Sequence, residues 1–193
     1  MTRSRRIAVL LAALLVSGGL SACGKHTAED APVKLAETEG IYLDLNDLKY
    51  QVQMSRQLNP KDVQDEPLLL GIPEEEQELK SDEVWFAVGM RVQNETGESL
   101  RPSEAIEIED TVGEVFEPIE LGEENVFAYR SHELIPPKET YPLLDSPAFD
   151  SPSRSAIILF KLTLTGLNTN RPLELKIEGR KLPKQTGIVD LDV

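Results

Sequence analysis

The stretch that decides the fold is residues 84–94, which read VWFAVGMRVQN. Its side chains alternate between large apolar residues and residues of mixed character. A period of two is that of a β-strand, because successive side chains point to opposite faces of a sheet. The sequence NETG at 94–97 then supplies a turn. The stretch therefore predicts one long strand with an apolar face. That face consists of Val84, Phe86, Val88, Met90 and Val92.

Shorter segments with strand character lie on both sides of this one. They are 50–54, 105–109 with a turn at 110–113 and a return through 115–116, 155–164, and 173–178. Segment 125–130 has no unambiguous inward face. Seven to nine short strands with few helical periods predict an antiparallel β-sandwich of the immunoglobulin-like kind. A small closed β-barrel is the alternative that length and pattern leave open.

The β-sandwich domain is expected over 41–179, with 180–193 as a loose tail or an edge strand. Residues 24–40, GKHTAEDAPVKLAETEG, are small or charged and follow no period. We therefore interpret 23–40 as a modified cysteine and a flexible stalk, with a reach of about 20–25 Å.

The first 22 residues have the features of an export signal. Arg3, Arg5 and Arg6 precede an apolar run over 7–16, and small residues lead to Ala22 and Cys23. The apolar run is about half the length that a membrane-spanning helix needs. Cys23 is the only cysteine of the chain. The pattern is that of a bacterial lipobox, which predicts cleavage between Ala22 and Cys23 and a diacylglyceryl anchor on Cys23. We therefore expect a location on the extracytoplasmic face of the cell membrane.

The charge balance is strongly acidic. The full chain has 20 Lys and Arg residues against 34 Asp and Glu residues, a formal charge of −14. The predicted signal segment contains three arginines and no carboxylate. Its removal would lower the formal charge by three, to −17. Such a surface repels phosphates, so nucleic acid is excluded as a partner. Anionic headgroups are repelled as well, so the lipid supplies the membrane affinity.

Catalytic and soft-metal chemistry have little support in the sequence. His132 follows Ser131, but neighbouring residues point in different directions and no G-x-S-x-G motif occurs. A copper site would need two histidines and a free cysteine, which the domain lacks. Aromatic residues make up 5% of the chain, too few for a sugar-stacking platform of a glycosidase. We expect no catalytic residue and no cofactor.

Calcium is the one metal that the acidic loops suggest, because it prefers clustered oxygen ligands. The candidates form two groups: Asp44, Asn46 and Asp47 in one, and Asp62, Asp65 and Glu66 in the other. Neither group has the spacing of a calcium-binding loop. A solvated acidic surface is the competing interpretation.

Candidate interaction residues lie on loops and on the second face of the long strand. Glu74, Glu75 and Glu76 form an acidic run that suits a basic partner. Trp85 is either an exposed contact residue or part of a second core. Loops on a rigid scaffold commonly carry recognition, so the long connection 57–83 and the segment 131–153 are the expected contact regions.

Several segments together resemble a known family. The strand 84–94, the EIEDT-x-G sequence at 107–113, NVFAY at 125–129 and RPLEL at 171–175 are similar to lipid-anchored bacterial proteins with an immunoglobulin-like domain. These proteins are frequent in Gram-positive bacteria, actinobacteria in particular, and most have no known function. The resemblance implies a fold and a location at the cell membrane, but no active site.

The expected function is a non-enzymatic, lipid-anchored interaction module that contacts another envelope protein or a wall polymer. The alternatives are a lipoprotein that binds a cation or small ligand through its acidic loops and, less favoured, an envelope hydrolase.

Overall fold

Eleven strands form within residues 32–193, the part of the chain that the computed structural model describes. In chain order they are β1 (Val33–Ala36), β2 (Leu43–Leu45), β3 (Leu48–Leu58), β4 (Glu83–Asn94), β5 (Ile106–Glu109), β6 (Val115–Phe116), β7 (Pro118–Ile119), β8 (Thr140–Tyr141), β9 (Ala156–Thr163), β10 (Leu173–Glu178) and β11 (Thr186–Leu191). Sheet A has the order β1-β11-β10-β5-β6, and sheet B has the order β2-β3-β4-β9-β7, with β8 paired to β4. The described strands thus form two separate sheets, which confirms the β-sandwich prediction over the barrel alternative.

The strand predicted from residues 84–94 is β4, and it lies at the centre of sheet B. It pairs antiparallel with β3 on one side and with β9 on the other. Its apolar face packs between the sheets, where Phe86, Val88, Met90 and Val92 are fully buried. Facing residues of sheet A, such as Ile108 and Leu175, complete this inner core.

The opposite face of sheet B is covered as well. A second set of buried apolar residues, the outer cluster, consists of Leu58, Trp85, Ala87, Leu121, Ala128, Ile157 and Leu159. The connections 59–82 and 120–128 lie over it and contribute Leu68, Ile72 and Phe127. Sheet B is therefore buried on its inner face and on part of its outer face, and the alternation in β4 alone did not predict this second core.

Both ends of the described chain correct the predicted domain limits. Residues 33–36 lie within the predicted stalk, yet they form β1, which pairs parallel with β11. Residues 186–191 lie within the predicted tail or edge strand, yet β11 is an interior strand between β1 and β10. The reason is packing, since Ala36, Val189 and Leu191 each place an apolar side chain in the inner core. The ordered fold therefore begins before residue 41 and continues past residue 179.

The helical elements are short. They are α1 (Pro147–Asp150), α2 (Leu164–Asn168) and two 3₁₀ turns at Glu66–Leu69 and Glu74–Glu76. Within residues 32–193, no helix has the length and apolar character needed to cross a membrane. Segment 125–130 forms no strand; its one sheet contact is a bridge from Ala128 to Ile157.

The sandwich has two distinct ends. The far end carries the connection 59–82 and the turn 110–113 between β5 and β6. The other end, which we term the entry end, carries the β2–β3 turn and the loop 179–185 between β10 and β11. The backbone N–H of Thr186 donates to the carbonyl of Pro32 at 3.2 Å, so the described chain starts at the entry end.

Candidate functional site

A groove with a volume of about 640 Å³ lies on the outer face of sheet B. Its floor contains Met54 from β3 and Ile157 from β9, together with Leu68 and Phe127 from the covering loops. One wall belongs to the connection 59–82, and the other is the segment 145–153 with α1. The structure thus brings the two predicted contact regions together around one concave surface.

Asp65 fixes the first wall. Its buried carboxylate accepts two hydrogen bonds from the Arg56 guanidinium, with Nη1 at 3.1 Å from Oδ2, and one from the backbone N–H of Asn59 at 2.8 Å. The hydrogen bond from Arg56 lowers the pKa of Asp65 below its ordinary value. Arg56 also lines the groove, so this pair ties the start of the loop to the floor.

Backbone contacts join the connections 59–82 and 120–128 into one cover. The N–H of Gly122 donates to the carbonyl of Gly71 at 2.7 Å. The Asn125 side chain donates to the carbonyls of Leu68 and Leu70 at 3.1 and 2.9 Å. Gly71 has φ +74, and a Cβ there would lie 2.7 Å from the Gly122 nitrogen. The close approach therefore requires glycine at position 71.

The buried side chain of Arg130 also stabilises the connection 120–128. Its guanidinium donates to the carbonyls of Leu121, Gly122 and Asn125, the last two at 2.6 and 3.2 Å. Only 9% of Arg130 is exposed. A buried guanidinium needs its donors satisfied, and here backbone carbonyls satisfy them. Arg130 consequently holds the loop instead of facing the groove.

The second wall is shaped by a row of serines. The hydroxyl of Ser155 donates to that of Ser153 at 2.8 Å, and Ser151 lies 3.3 Å from Ser153. Ser146 caps α1, since its hydroxyl accepts from the N–H of Phe149 at 3.2 Å. A Cβ on Gly89 of β4 would lie 2.4 Å from the Ser155 hydroxyl, so glycine there lets the serine seat against the sheet.

The groove has an apolar floor and a charged rim. Its apolar residues are Met54, Pro67, Leu68, Phe127, Pro147, Pro152 and Ile157. The rim carries Arg56, paired with Asp65, and the exposed carboxylates Asp145 and Asp150. An apolar pocket with a few polar groups at its edge is typical of a binding site, and this volume suits a small molecule or a short peptide segment.

Trp85, a predicted interaction residue, is buried in the outer cluster with 4% of its surface exposed. The second-core alternative is thus the one observed. The Lys161 ammonium lies 5.4 Å from the indole ring centre and 2.9 Å from a Glu76 carboxylate oxygen. Glu76 therefore fastens the cover over Trp85, whereas Glu74 and Glu75 are exposed on the same 3₁₀ turn.

The calcium candidates do not converge. Asp47 pairs with Lys181, Asp44 lies 3.9 Å from Lys49, and Asp65 pairs with Arg56. Asp62 is exposed, and its carboxylate accepts from the N–H of Gln64 at 2.9 Å. Within 32–193, no three His, Cys, Asp or Glu side chains are placed to hold a metal ion together.

One calcium candidate has an unpartnered atom. Asn46 has φ 57, and its backbone N–H donates to the Gln185 side chain at 2.8 Å. Its Oδ1 is buried without a hydrogen-bond partner among the described residues. The two other candidates on this turn, Asp44 and Asp47, face lysines instead.

Ser131 and His132 line a separate cavity of about 310 Å³, at the side where β5, β7 and β9 meet. His132 is exposed, and in the described chain neither side chain donates to the other. Tyr129 also lines this cavity; burial raises the pKa of its hydroxyl, which donates to the carbonyl of Ser103 at 2.8 Å. Cys23 and Ala22 lie outside the described residues.

Sequence reasoning located the two walls but missed the groove floor. The alternation at 50–54 predicts Met54 on the same face as Tyr50 and Val52, but a bulge between Val52 and Met54 places it against the outer cluster instead. Phe127 lies in the segment whose inward face the sequence leaves ambiguous. Arg56 carries no motif, and its partner Asp65 looked like a metal ligand. One signal was present: Pro60, Pro67, Gly71 and Pro73 argue against a continuous regular element and predict an irregular connection, although not that it covers the sheet.

Comparisons with known proteins bear on the fold. No protein-family model matches the chain. No curated protein matches its sequence. Among solved structures, the YjhA protein from Bacillus subtilis superposes with a TM-score of 0.50 and 8% identity, over 81% of this chain and 100% of that one.

Two further structures are similar to a comparable degree. An uncharacterised β-sandwich protein from Clostridium difficile 630 gives a TM-score of 0.48 at 13% identity, over 85% of this chain and 97% of that one. YcdA from Bacillus subtilis strain 168, provisionally described as a lipoprotein, gives 0.47 at 10% identity, over 80% of this chain and 39% of that one. At such low sequence identities, structural similarity supports only the fold. YjhA, with a TM-score of 0.50, is the comparison that supports it.

Proposed function

We propose that this protein is a non-enzymatic binding module that holds a segment of another envelope protein in the groove on sheet B. A lipid on Cys23 would anchor it to the extracytoplasmic face of the cell membrane. The observation that carries the proposal is the convergence of the connection 59–82 and the segment 145–153 on one apolar floor. A rigid scaffold that shapes two loops around a concave surface is a common arrangement for recognition.

The chemistry of the groove favours an extended peptide with apolar and basic residues. Met54, Leu68 and Phe127 offer surface for an apolar side chain. Asp145 and Asp150 at the rim, on a chain of net negative charge, attract a lysine or arginine. The serine hydroxyls provide hydrogen-bonding groups for the peptide backbone or its polar side chains.

A displayed peptide library tests the groove directly. Peptides selected on the immobilised processed chain should combine an apolar and a basic residue, and they should bind more weakly as salt is raised. Ser153→Trp, which fills the groove, and the exposed pair Asp145→Asn with Asp150→Asn should each weaken binding at least tenfold. Val112→Trp, at the far-end turn, is the matched control and should bind normally. Selected peptides that bind all variants equally would contradict the groove assignment.

The anchor is a separate part of the proposal. The lipobox pattern and the resemblance to lipid-anchored proteins of Gram-positive bacteria support it. In Cys23→Ala, incorporation of labelled lipid should be lost, and the chain should remain unprocessed or be shed. Normal processing and membrane attachment of this variant would overturn the anchor while leaving the groove proposal intact.

A small amphipathic ligand is a second candidate for the groove. The volume of about 640 Å³ lies in the range of small-molecule sites. Fluorescent apolar probes distinguish the candidates: saturable binding that Ser153→Trp abolishes, without any selected peptide, would favour the ligand.

A further inference from the structure

We infer that the loop 179–185 between β10 and β11 contacts the anionic lipid surface to which the chain is anchored, with Leu182 as the inserted side chain. The inference rests on the proposed anchor at Cys23. It adds a second, noncovalent contact, which would set the orientation of the sandwich on the membrane.

Leu182 is the most exposed large apolar residue described, with 87% of its surface accessible. It stands in the sequence RKLPKQ at 180–185, so cationic residues lie on both sides of it. A single exposed leucine is ordinary in itself. An apolar tip flanked by lysines and arginine is the composition that favours the interface of an anionic bilayer.

The loop differs from the rest of this acidic domain. Each of its cations has one carboxylate nearby: Arg180 lies 3.2 Å from Glu104, Lys181 pairs with Asp47, and Lys184 lies 2.5 Å from Glu178. The loop and its three carboxylate partners are therefore formally neutral, on a chain whose formal charge is −14. Among the described surfaces it is one that anionic headgroups do not repel.

The position of the anchor brings this loop to the membrane. The described chain begins at Pro32, whose carbonyl accepts from Thr186 four residues after Leu182. Nine residue steps separate Cys23 from Pro32, and they span at most about 30 Å when extended. A lipid on Cys23 would therefore limit the distance between the bilayer and Pro32 to at most about 30 Å.

Other apolar groups at the entry end extend the surface. Val33, paired with Thr186, is 56% exposed, and Leu134 is 50% exposed beside Arg180 and Lys181 in a cavity of about 240 Å³. The far end offers a matched contrast. Val112 is 72% exposed at the β5–β6 turn, but its neighbours are Asp110 and Glu114.

Quenching by brominated lipids tests the inference. The lipidated full-length processed chain carrying Leu182→Trp is reconstituted in phosphatidylcholine vesicles that contain phosphatidylglycerol, with Val112→Trp as the control. Both variants also contain the buried Trp85, so the emission of the unsubstituted chain in the same vesicles is subtracted. We expect the added indole at position 182 to have a blue-shifted emission that bromine on the acyl chains quenches, and the added indole at position 112 to show no quenching. Adding Lys181→Gln and Lys184→Gln should reduce the quenching at 182 in these vesicles.

The outcomes separate the two claims. Mass spectrometry of Cys23 and flotation with the vesicles report on the anchor. A chain without lipid that does not float contradicts the anchor and this inference with it. A lipidated chain that floats but shows no quenching at 182, or equal quenching at 182 and 112, overturns the loop contact alone.

Discussion

Asp65 and Arg56 form a two-point ion pair on the outer face of sheet B, with the Asp65 carboxylate buried and Arg56 Nη1 3.1 Å from Oδ2. The pair joins the first turn of the covering loop to strand β3. Asp65, which the sequence suggested as a calcium ligand, thus stabilises the covering loop at the edge of the groove.

Replacing this carboxylate should lower stability in a pH-dependent way. The pKa of Asp65 is depressed by its hydrogen bond from Arg56, so the ionised form stabilises the fold above the ordinary value of 3.8. That contribution is lost as the pH falls through the lower value of the folded chain. We expect Asp65→Asn to cost about 1–2 kcal/mol at neutral pH, and the difference from wild type to shrink below about pH 4.

Denaturant unfolding at a series of pH values measures this effect. Asp62→Asn is the matched control, because Asp62 is exposed on the same loop, and it should change stability by less than about 0.5 kcal/mol. A constant difference between Asp65→Asn and wild type from neutral to acid pH would refute the assigned role.

The contact between Gly71 and Gly122 predicts an asymmetry between two glycines. Gly71 has a positive φ, so Gly71→Ala would put a side chain on a strained backbone. The new Cβ would also lie 2.7 Å from the Gly122 nitrogen, so the variant should destabilise the fold by about 2–3 kcal/mol. Gly113→Ala also has a positive φ, but nothing lies within 4 Å of its Cβ, so its cost should be about 1 kcal/mol. Thermal melts of both variants test the prediction, and equal costs would argue against the close approach of the two loops.

The single tryptophan reports on the cover. Trp85 lies beneath it with 4% exposure, so its emission should be that of a buried indole and acrylamide should quench it weakly. Trp85→Ala should cost about 3–5 kcal/mol, because a large cavity would form in the outer cluster. The chain unfolded in guanidinium serves as the exposed reference. A native spectrum like that reference would mean that the cover is open in solution.

Calcium should leave the fold unchanged. The carboxylates of Asp44, Asp47 and Asp65 face cationic side chains, and cation binding would have to break those pairs. We expect the melting temperature in millimolar calcium to equal that in sodium chloride of the same ionic strength. A saturable upward shift, reversed by EDTA, would show a specific site.

The alternation in β4, together with the other short strands, predicted a β-sandwich and left a small closed barrel as the alternative; the two separate sheets decide between them. The strand pattern was not sufficient to predict the loops that cover the outer face of sheet B. On the face opposite the aliphatic residues, Trp85 left two alternatives, an exposed contact surface or a second core, and the loops that bury part of this face have no period of their own.

The groove depends on contacts between residues far apart in the sequence. The side-chain amide of Asn125 donates to the carbonyl of Leu68, 57 residues away in the sequence. Because the acceptor is a backbone group, the pattern of side chains around residue 68 does not predict this contact. Strand β1 is similar: VKLA at 33–36 is too short to be recognised, and its pairing is decided by β11 at the other end of the chain.

Site-specific photocrosslinking in intact cells that produce the anchored protein tests the central claim most directly. The measurement compares benzoylphenylalanine at position 127, on the groove floor, with the same residue at position 112 on the far-end turn. We predict a discrete adduct with an envelope protein from position 127, absent from position 112 and reduced by the Asp145→Asn and Asp150→Asn pair. No adduct from position 127, or the same adducts from both positions, would contradict a binding role for the groove.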